Sequence, residues 1–435
     1  MMQKIDLTPD ELVRTALLQT ETGVCVLDSC GVGHQESHLL IAGLHPVTIY
    51  EPSVETADEQ LPILDEIVNG EDAAIFALSY DFGLQLQGIE PCHPQRREPF
   101  LYAAIFDSLR MHDYKSGQTY YLGNPKKLIS SDVHASEPLT VDRSSTSQLT
   151  SDFSRDDYTS VIEKIKEHIR RGDTYQTNLT RQITVSLPDD FSAEDAFVRL
   201  RDKHPAPFAA YLKRGDSIVI SASPERFFRI ERSPGESRRQ ISASPIKGTR
   251  PRGLTAAEDA ILRNELLTSM KDRAENVMIV DLMRNDLGRV CDFGSIEIRS
   301  LCDIEEHPTL FHLVSTVTGS LRDDAAFSDV IKAVFPCGSV TGAPKHRTMQ
   351  IIDELEKSNR GLSMGAIGVF IPERFGLGKE VIDVNVAIRT MVIRDGEAVF
   401  NVGGGITIDS NAEAEYEETV TKSKALLTAL GVRRA

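Results

Sequence analysis

What this chain lacks narrows its chemistry first. Six cysteines (Cys25, Cys30, Cys92, Cys291, Cys302, Cys337) are scattered through 435 residues, with no Cys-x-x-Cys pair among them. That spacing argues against a zinc site or a disulfide framework and predicts reduced, mostly buried thiols. No apolar run approaches the ~18 residues a membrane span needs. The opening Met1-Met2-Gln3-Lys4-Ile5-Asp6 has no signal-peptide core. A cytoplasmic protein with no membrane partner is expected. Cations are also short, with 48 Lys and Arg against 65 Asp and Glu and a net charge of −17. A field of that sign repels nucleic-acid phosphates, and no basic stripe offsets it, so no nucleic-acid partner is expected. Any anionic substrate must be held by local cations, backbone amides or a metal. The Walker spacing Gly-x-x-x-x-Gly-Lys-Ser/Thr is missing too.

What is present reads as an ordinary globular enzyme, 40% hydrophobic and 26% charged, long enough for two or three domains. Pro9 to Gln19 reads as a helix and Gly23 to Leu27 as a strand. Leu101–Phe106 and Thr119–Leu122 flank a Lys115-Ser116-Gly117-Gln118 turn signal, which predicts that these two strands pair. Ser130 to Arg155 turns Ser-, Thr- and Asp-rich and is the best linker. A helix follows, with Tyr158, Val161, Ile162, Ile165 and Ile169 on one face and Gly172 as its cap. Further strands are expected at Thr180–Ser186, Ser217–Ala222 and Ala398–Val402. Helices are expected from Ala256 into Asp286, from Pro344 to Lys357 and from Glu413 to Leu430. There is no internal repeat and no βαβ alternation. The expected class is α+β, with antiparallel sheets packed as a sandwich and helices on the outside.

Several segments can carry chemistry. Lys247 lies in Pro245-Ile246-Lys247-Gly248-Thr249-Arg250-Pro251, an unusual setting for a solvated surface cation. Glu415, Glu418 and Lys422 share one helix face, as a solvated ion pair or as part of a cation site. Glu275 sits among Val277, Met278, Ile279 and Val280, where a carboxylate needs a partner. Gly403-Gly404-Gly405 marks either a close approach of backbone or a row of amides open to an anion. Arg389, in an apolar strand, is a structural ion-pair member or a bidentate carboxylate clamp. The loop Pro336 to Lys345, containing Ser339, leads into a helix N-terminus and favours anions. His312 follows a loop; alone, it reads as a structural histidine.

In order along the chain stand GDTYQTNLTR, PAPFAAYL, SASPERF, PIKGTRPRG, KDRAENVMIVDLMRNDLGRV, HLVSTVTG, FPCGSVTGAPK, GAIGVF, NVAIRT and GGGITIDSNAEAEYEETVTKSKA. Together these resemble the chorismate-utilising enzymes, and most closely their aminodeoxychorismate synthase component I branch. The resemblance is detailed from Phe153 onward and loose before it. It implies an anthranilate-synthase-component-I-like subdomain at 1–131, a linker at 132–152 and a chorismate-binding catalytic domain at 153–432. Gln176 stands where isochorismate and salicylate synthases have a water-activating lysine, which resembles the ammonia-using branch. Lys247 stands where anthranilate synthases have a small apolar residue, and marks the aminodeoxychorismate synthases.

The resemblance implies amination of chorismate at C4, with Lys247 as a transient nucleophile at C2 and Glu225 as general acid. It implies Mg²⁺ held by Glu275 and Glu418. The remaining substrate contacts implied are Gln176, Gly248, Thr249, Lys271, His312, Ser339, Ser363, Arg389, Gly403, Gly404, Gly405 and Lys422. Ammonia is expected from a glutamine amidotransferase subunit, since no glutaminase domain is recognisable in this chain. Ser363 departs from the pattern, standing where the family usually has a tyrosine that binds the enolpyruvyl carboxylate with the arginine. Loss of that bond would weaken binding by roughly 1.5–3 kcal/mol. Anthranilate synthase component I is the first alternative, and a weakly active chorismate-binding regulatory subunit the second.

Overall fold

The computed structural model of the chain describes residues 2–33, 37–52, 56–93, 97–124, 148–236, 238–307 and 310–432. Two antiparallel sheets, of 12 and 10 strands, form a sandwich. Cys25, Ile41, Ala210 and Val219 from the larger sheet meet Ile75, Tyr102, Ile367 and Val369 from the smaller in a shared core. Alternation along each strand sends the other residues outward, where helices cover them. Leu12, Phe197, Leu200, Leu426 and Leu427 bring three helices onto the larger sheet. Leu61, Phe82, Ile279, Met283 and Val330 bring four onto the smaller. The expected α+β sandwich is the one observed.

Hydrogen bonding in both sheets runs between residues before 131 and residues after 153. Cys25–Asp28 pairs with Phe208–Lys213 in the larger sheet. Ala73–Leu78 pairs with Ala366–Ile371 in the smaller. Residues 130–147 of the Ser/Thr-rich stretch lie outside the described residues. Just after them, Leu149–Ser151 forms a short strand against Ile183–Val185.

Two local expectations fail for physical reasons. Leu101–Phe106 does not pair with the strand after the Lys115–Gln118 turn. It joins Ala73–Leu78 and Thr48–Tyr50 in the smaller sheet. The turn instead connects Ser108–Asp113 to Gln118–Gly123 in the larger sheet, so the chain changes sheets at Asp107. Ser-Leu-Arg-Met-His-Asp has too few apolar residues to announce itself as a strand. The long helix from Ala256 is also two helices, Ala256–Thr268 and Met270–Leu287. Ser269 breaks it, with an extended ψ of 107° and a side chain that accepts a hydrogen bond from the Asp272 amide. An N-cap serine satisfies a donor that a continuous helix would have satisfied internally.

Candidate active site

Two walls carry the residues singled out above. One is built on the glycine strand, Glu397–Ile406, which pairs with the strand Gln176–Ser186 and is backed by the last helix, Ala412–Ala429. The other is a lobe formed by the lysine strand Ile246–Pro251, the helix Met270–Leu287 and the strand Leu310–Ser320.

On the glycine wall the three glycines have different reasons to be there. A Cβ at Gly403 would stand 1.9 Å from the Leu179 carbonyl oxygen, and one at Gly405 would stand 2.1 Å from Gln176 Nε2. Close packing excludes a side chain at both. Gly404 faces the charged side of the last helix, 3.4 Å from Glu415 Oε2 and 3.7 Å from both Glu418 Oε1 and Lys422 Nζ, measured from the position of a Cβ. Lys422 bridges Glu418 at 2.7 Å and donates to the Gly403 carbonyl at 2.8 Å. Glu415 is buried and accepts from Ser410 at 2.7 Å. Burial raises its pKa, Ser410 opposes the shift, and the negative charge of Glu418 adds to it. Gln176 is buried against Gly405, and its Oε1 has no hydrogen-bond partner.

On the lobe, Lys247 lies at an edge of the smaller sheet, where pairing with Leu310–Ser320 shifts register between Ile246 and Thr249. The ladder is therefore broken at Lys247 and Gly248. Gly248 has φ +87°, and a Cβ there would lie 2.8 Å from Leu266 and 2.9 Å from Asp272. Only glycine lets the strand come this close to the helix. Arg250 fastens the two by an ion pair with Asp272 at 3.1 Å. Thr249 Oγ1 and His312 Nδ1 pair with each other at 2.9 Å. Lys271, well exposed, lies 4.0 Å from Glu275 Oε1, too far for a hydrogen bond. That oxygen is buried without a hydrogen-bond partner.

Electrostatics join the walls. Glu225 is buried, and burial raises its pKa; Lys247, a hydrogen bond from Ser339, and Lys422 oppose the shift. Burial raises Glu275 as well, opposed by Lys247 and Lys271 and reinforced by Asp272 and Glu415. Lys247 is thus within Coulomb reach of both Glu225 and Glu275. Ser339, 3.3 Å from the Cys337 thiol, lies close enough to Glu225 to oppose the rise in its pKa.

Arg389 stands apart from this cluster. It is solvent-exposed and left-handed at φ 49°, yet protein crowds it closely enough to lower its pKa by desolvation alone. Among the described residues its guanidinium makes no hydrogen bond or ion pair, while its carbonyl accepts from the Ala222 amide at 3.0 Å. His204, which sequence reading missed, lies within its field. The His204 pKa is lowered by burial, then by Arg389 and Lys203. Ser363 is buried, accepting from the Asn401 amide at 3.1 Å and lying 3.4 Å from the Thr390 carbonyl. Its hydroxyl is committed to backbone. Glu415, read from its spacing with Glu418 and Lys422 as part of an ion pair or a cation site, is not among the ligands the resemblance implies; Asn276, Ser315 and Ser410 were not singled out.

Among the described residues, no three His, Cys, Asp or Glu side chains converge into a metal cage. Glu275, Glu415 and Glu418 nonetheless feel one another's charge in sequence, and Glu275 offers a bare buried oxygen. Such a set fits a hard cation that takes only one or two carboxylates and completes its shell with substrate and water.

Residues 37–428 match the profile of the chorismate binding enzymes. The chain belongs to that family. Aminodeoxychorismate synthase component 1 of Bacillus subtilis is 35% identical over 381 residues, spanning 84% of this chain and 78% of that protein. Anthranilate synthase component 1 3 of Haloarcula marismortui is 42% identical over 270 residues, covering 62% of this chain. That match spans only about half, 51%, of the Haloarcula protein. The crystal structure of anthranilate synthase component I from Streptococcus pneumoniae superposes with a TM-score of 0.74 at 25% identity, over 89% of this chain and 92% of that one. Among the described residues, no helix is long and apolar enough to cross a membrane.

Proposed function

We propose that this member of the chorismate-binding family aminates chorismate at C4, giving 4-amino-4-deoxychorismate, with ammonia supplied by a glutamine amidotransferase subunit. The observation that carries the reading is that Lys247 acts electrostatically on both the buried acid Glu225 and the carboxylate Glu275. The Lys247 amine adds to C2 of the ring. Both ring double bonds shift, to C1=C6 and C4=C5, the C4–O bond breaks, and the departing hydroxide takes the Glu225 proton and leaves as water. Ammonia then adds at C4, both double bonds return, the C2–N bond to Lys247 breaks and restores the amine, and a proton from the added nitrogen returns to Glu225. One difficult substitution becomes two easier ones.

The raised pKa of Glu225 suits its part, since hydroxide leaves only with a proton and the acid must hold one near neutral pH. Mg²⁺, held by Glu275 and Glu418, would neutralise the ring carboxylate. Lys422, Lys271 and the Gly404 backbone line the same anion position, and Arg389 takes the enolpyruvyl carboxylate. The Bacillus relative's name, component 1, supports a partner subunit, which the reading takes to be the amidotransferase.

The test is product identity. The purified chain is incubated with chorismate, Mg²⁺ and excess ammonium at mildly alkaline pH, and the product is identified by mass and ultraviolet spectrum. Non-aromatic aminodeoxychorismate is expected. Anthranilate would overturn the C4 assignment and favour the second reading, anthranilate formation, to which the 42% identity with the Haloarcula protein lends weight.

A further inference from the structure

We infer that Asn276 is a positioning residue: its single buried amide sets the lysine strand, the Glu275 helix and the His312 strand in register with one another. The inference rests on the function proposed above for Lys247 and Glu275. Asn276 directly follows Glu275 and is fully buried in the middle of its helix. An amide there would be costly unless every polar atom were used. All are used. Nδ2 donates to the carbonyl of Pro245, two residues before Lys247, at 3.5 Å, and to that of Leu313, next to His312, at 3.4 Å. Oδ1 accepts from the hydroxyl of Ser315 and from the Cys302 thiol at 3.7 Å.

Ser315 makes this a closed network. Its hydroxyl accepts from the Cys302 amide at 2.8 Å while donating to Asn276, and its own amide donates to the Pro245 carbonyl at 3.2 Å. Two sheet irregularities meet here. The lysine strand loses its ladder between Ile246 and Thr249. The neighbouring strand Glu297–Glu306 shifts register between Ser300 and Asp303, with Cys302 at φ 56°. Where backbone pairing fails to fix Lys247, side-chain hydrogen bonds do. Among the described residues the buried cluster beside the lysine strand is small: Leu266, Cys302, Phe311 and Leu313.

The experiment compares Asn276→Ala and Ser315→Ala with Leu12→Ala, which opens a cavity in the core on the far face of the larger sheet. All are assayed well below their melting temperatures. Two readouts are taken on the full chain: kcat for amination with ammonium, and the ratio of Lys247 to Lys422 acetylation by sulfo-N-hydroxysuccinimide acetate, measured by mass spectrometry. Asn276→Ala should lower kcat by about 10²-fold, the cost of an ångström-scale misplacement, and Ser315→Ala by less. Both should raise the labelling ratio several-fold, and Leu12→Ala should change neither. If both variants match Leu12→Ala in the two readouts, the positioning role is overturned. Should Asn276→Ala not fold, Ser315→Ala decides alone. If wild type makes no aminated product, the proposed function fails, and the labelling ratio still decides the role of Asn276.

Discussion

The two walls of the site are built to different standards of packing. The glycine wall is sheet interior: the strand Glu397–Ile406 is paired on both sides, and the last helix buries Glu415, Thr419, Ser423, Leu426, Leu427 and Ala429 behind it. The lobe is a sheet edge, and its helix Ala256–Thr268 buries only Leu266 among its thirteen residues. Leu254, Ile261, Met270 and Val277 are left in solvent beside it. On the function proposed, the better-packed wall would present backbone amides and Lys422 to the substrate, and the looser wall would carry the nucleophile, Lys247. The difference in packing would then set a firm surface against a lightly packed reactive arm.

The largest effect that could break this comparison is on the arm. Lys247→Ala should cut formation of 4-amino-4-deoxychorismate by about 10⁴-fold, as losing a nucleophile does. Any residual product should be aminated at C2, which mass and ultraviolet spectra distinguish. Glu225→Gln should lower kcat by about 10²–10⁴-fold. It should also remove a pH limb: wild-type rate should fall as pH rises through the raised Glu225 pKa and the acid loses its proton, and the variant should lack that fall.

Glu275→Gln sharpens the comparison differently, because its effects on ligand and on stability should have opposite signs. Mg²⁺ affinity by calorimetry should weaken at least about 10-fold. Melting temperature should hold or rise at neutral pH. Burial raises the Glu275 pKa, so the folded state favours the protonated form. Stability from that term is full below the unfolded value and is lost as pH rises through the folded one; glutamine removes the slope. The smallest expected change is Ser269→Ala, which deletes the cap between the two lobe helices and should cost about 1 kcal/mol in denaturant unfolding.

The glycine wall was legible from sequence because its rules are local. A glycine run, a helix face spaced at three and four, and a cap residue are read without knowing what lies opposite. The lobe was less legible. Ser269-x-x-Asp272 is a cap signature, but continuous helical composition on both sides hid it. Leu101–Phe106 was given the wrong partner because pairing is chosen by the whole sheet, and a mostly polar strand at 108–113 intervenes. The Asn276–Ser315–Cys302 network joins residues far apart in sequence, and none of them carries a charge to attract notice. The resemblance named candidate residues; it did not say that Ser363 would be committed to backbone.

The strand order of the larger sheet has a consequence for how the protein is made. Thr390–Arg394 and Glu397–Ile406 lie between Ile218–Ser223 and Gln176–Ser186, strands synthesised about two hundred residues earlier. Until the ribosome has delivered them, that sheet exists as two pieces with two open interior edges, each a template for pairing with another chain. Every nascent chain must therefore carry both edges from the synthesis of Ser223 until Ile406 is delivered. A chain cut short before Thr390 would lack the two strands that join the pieces.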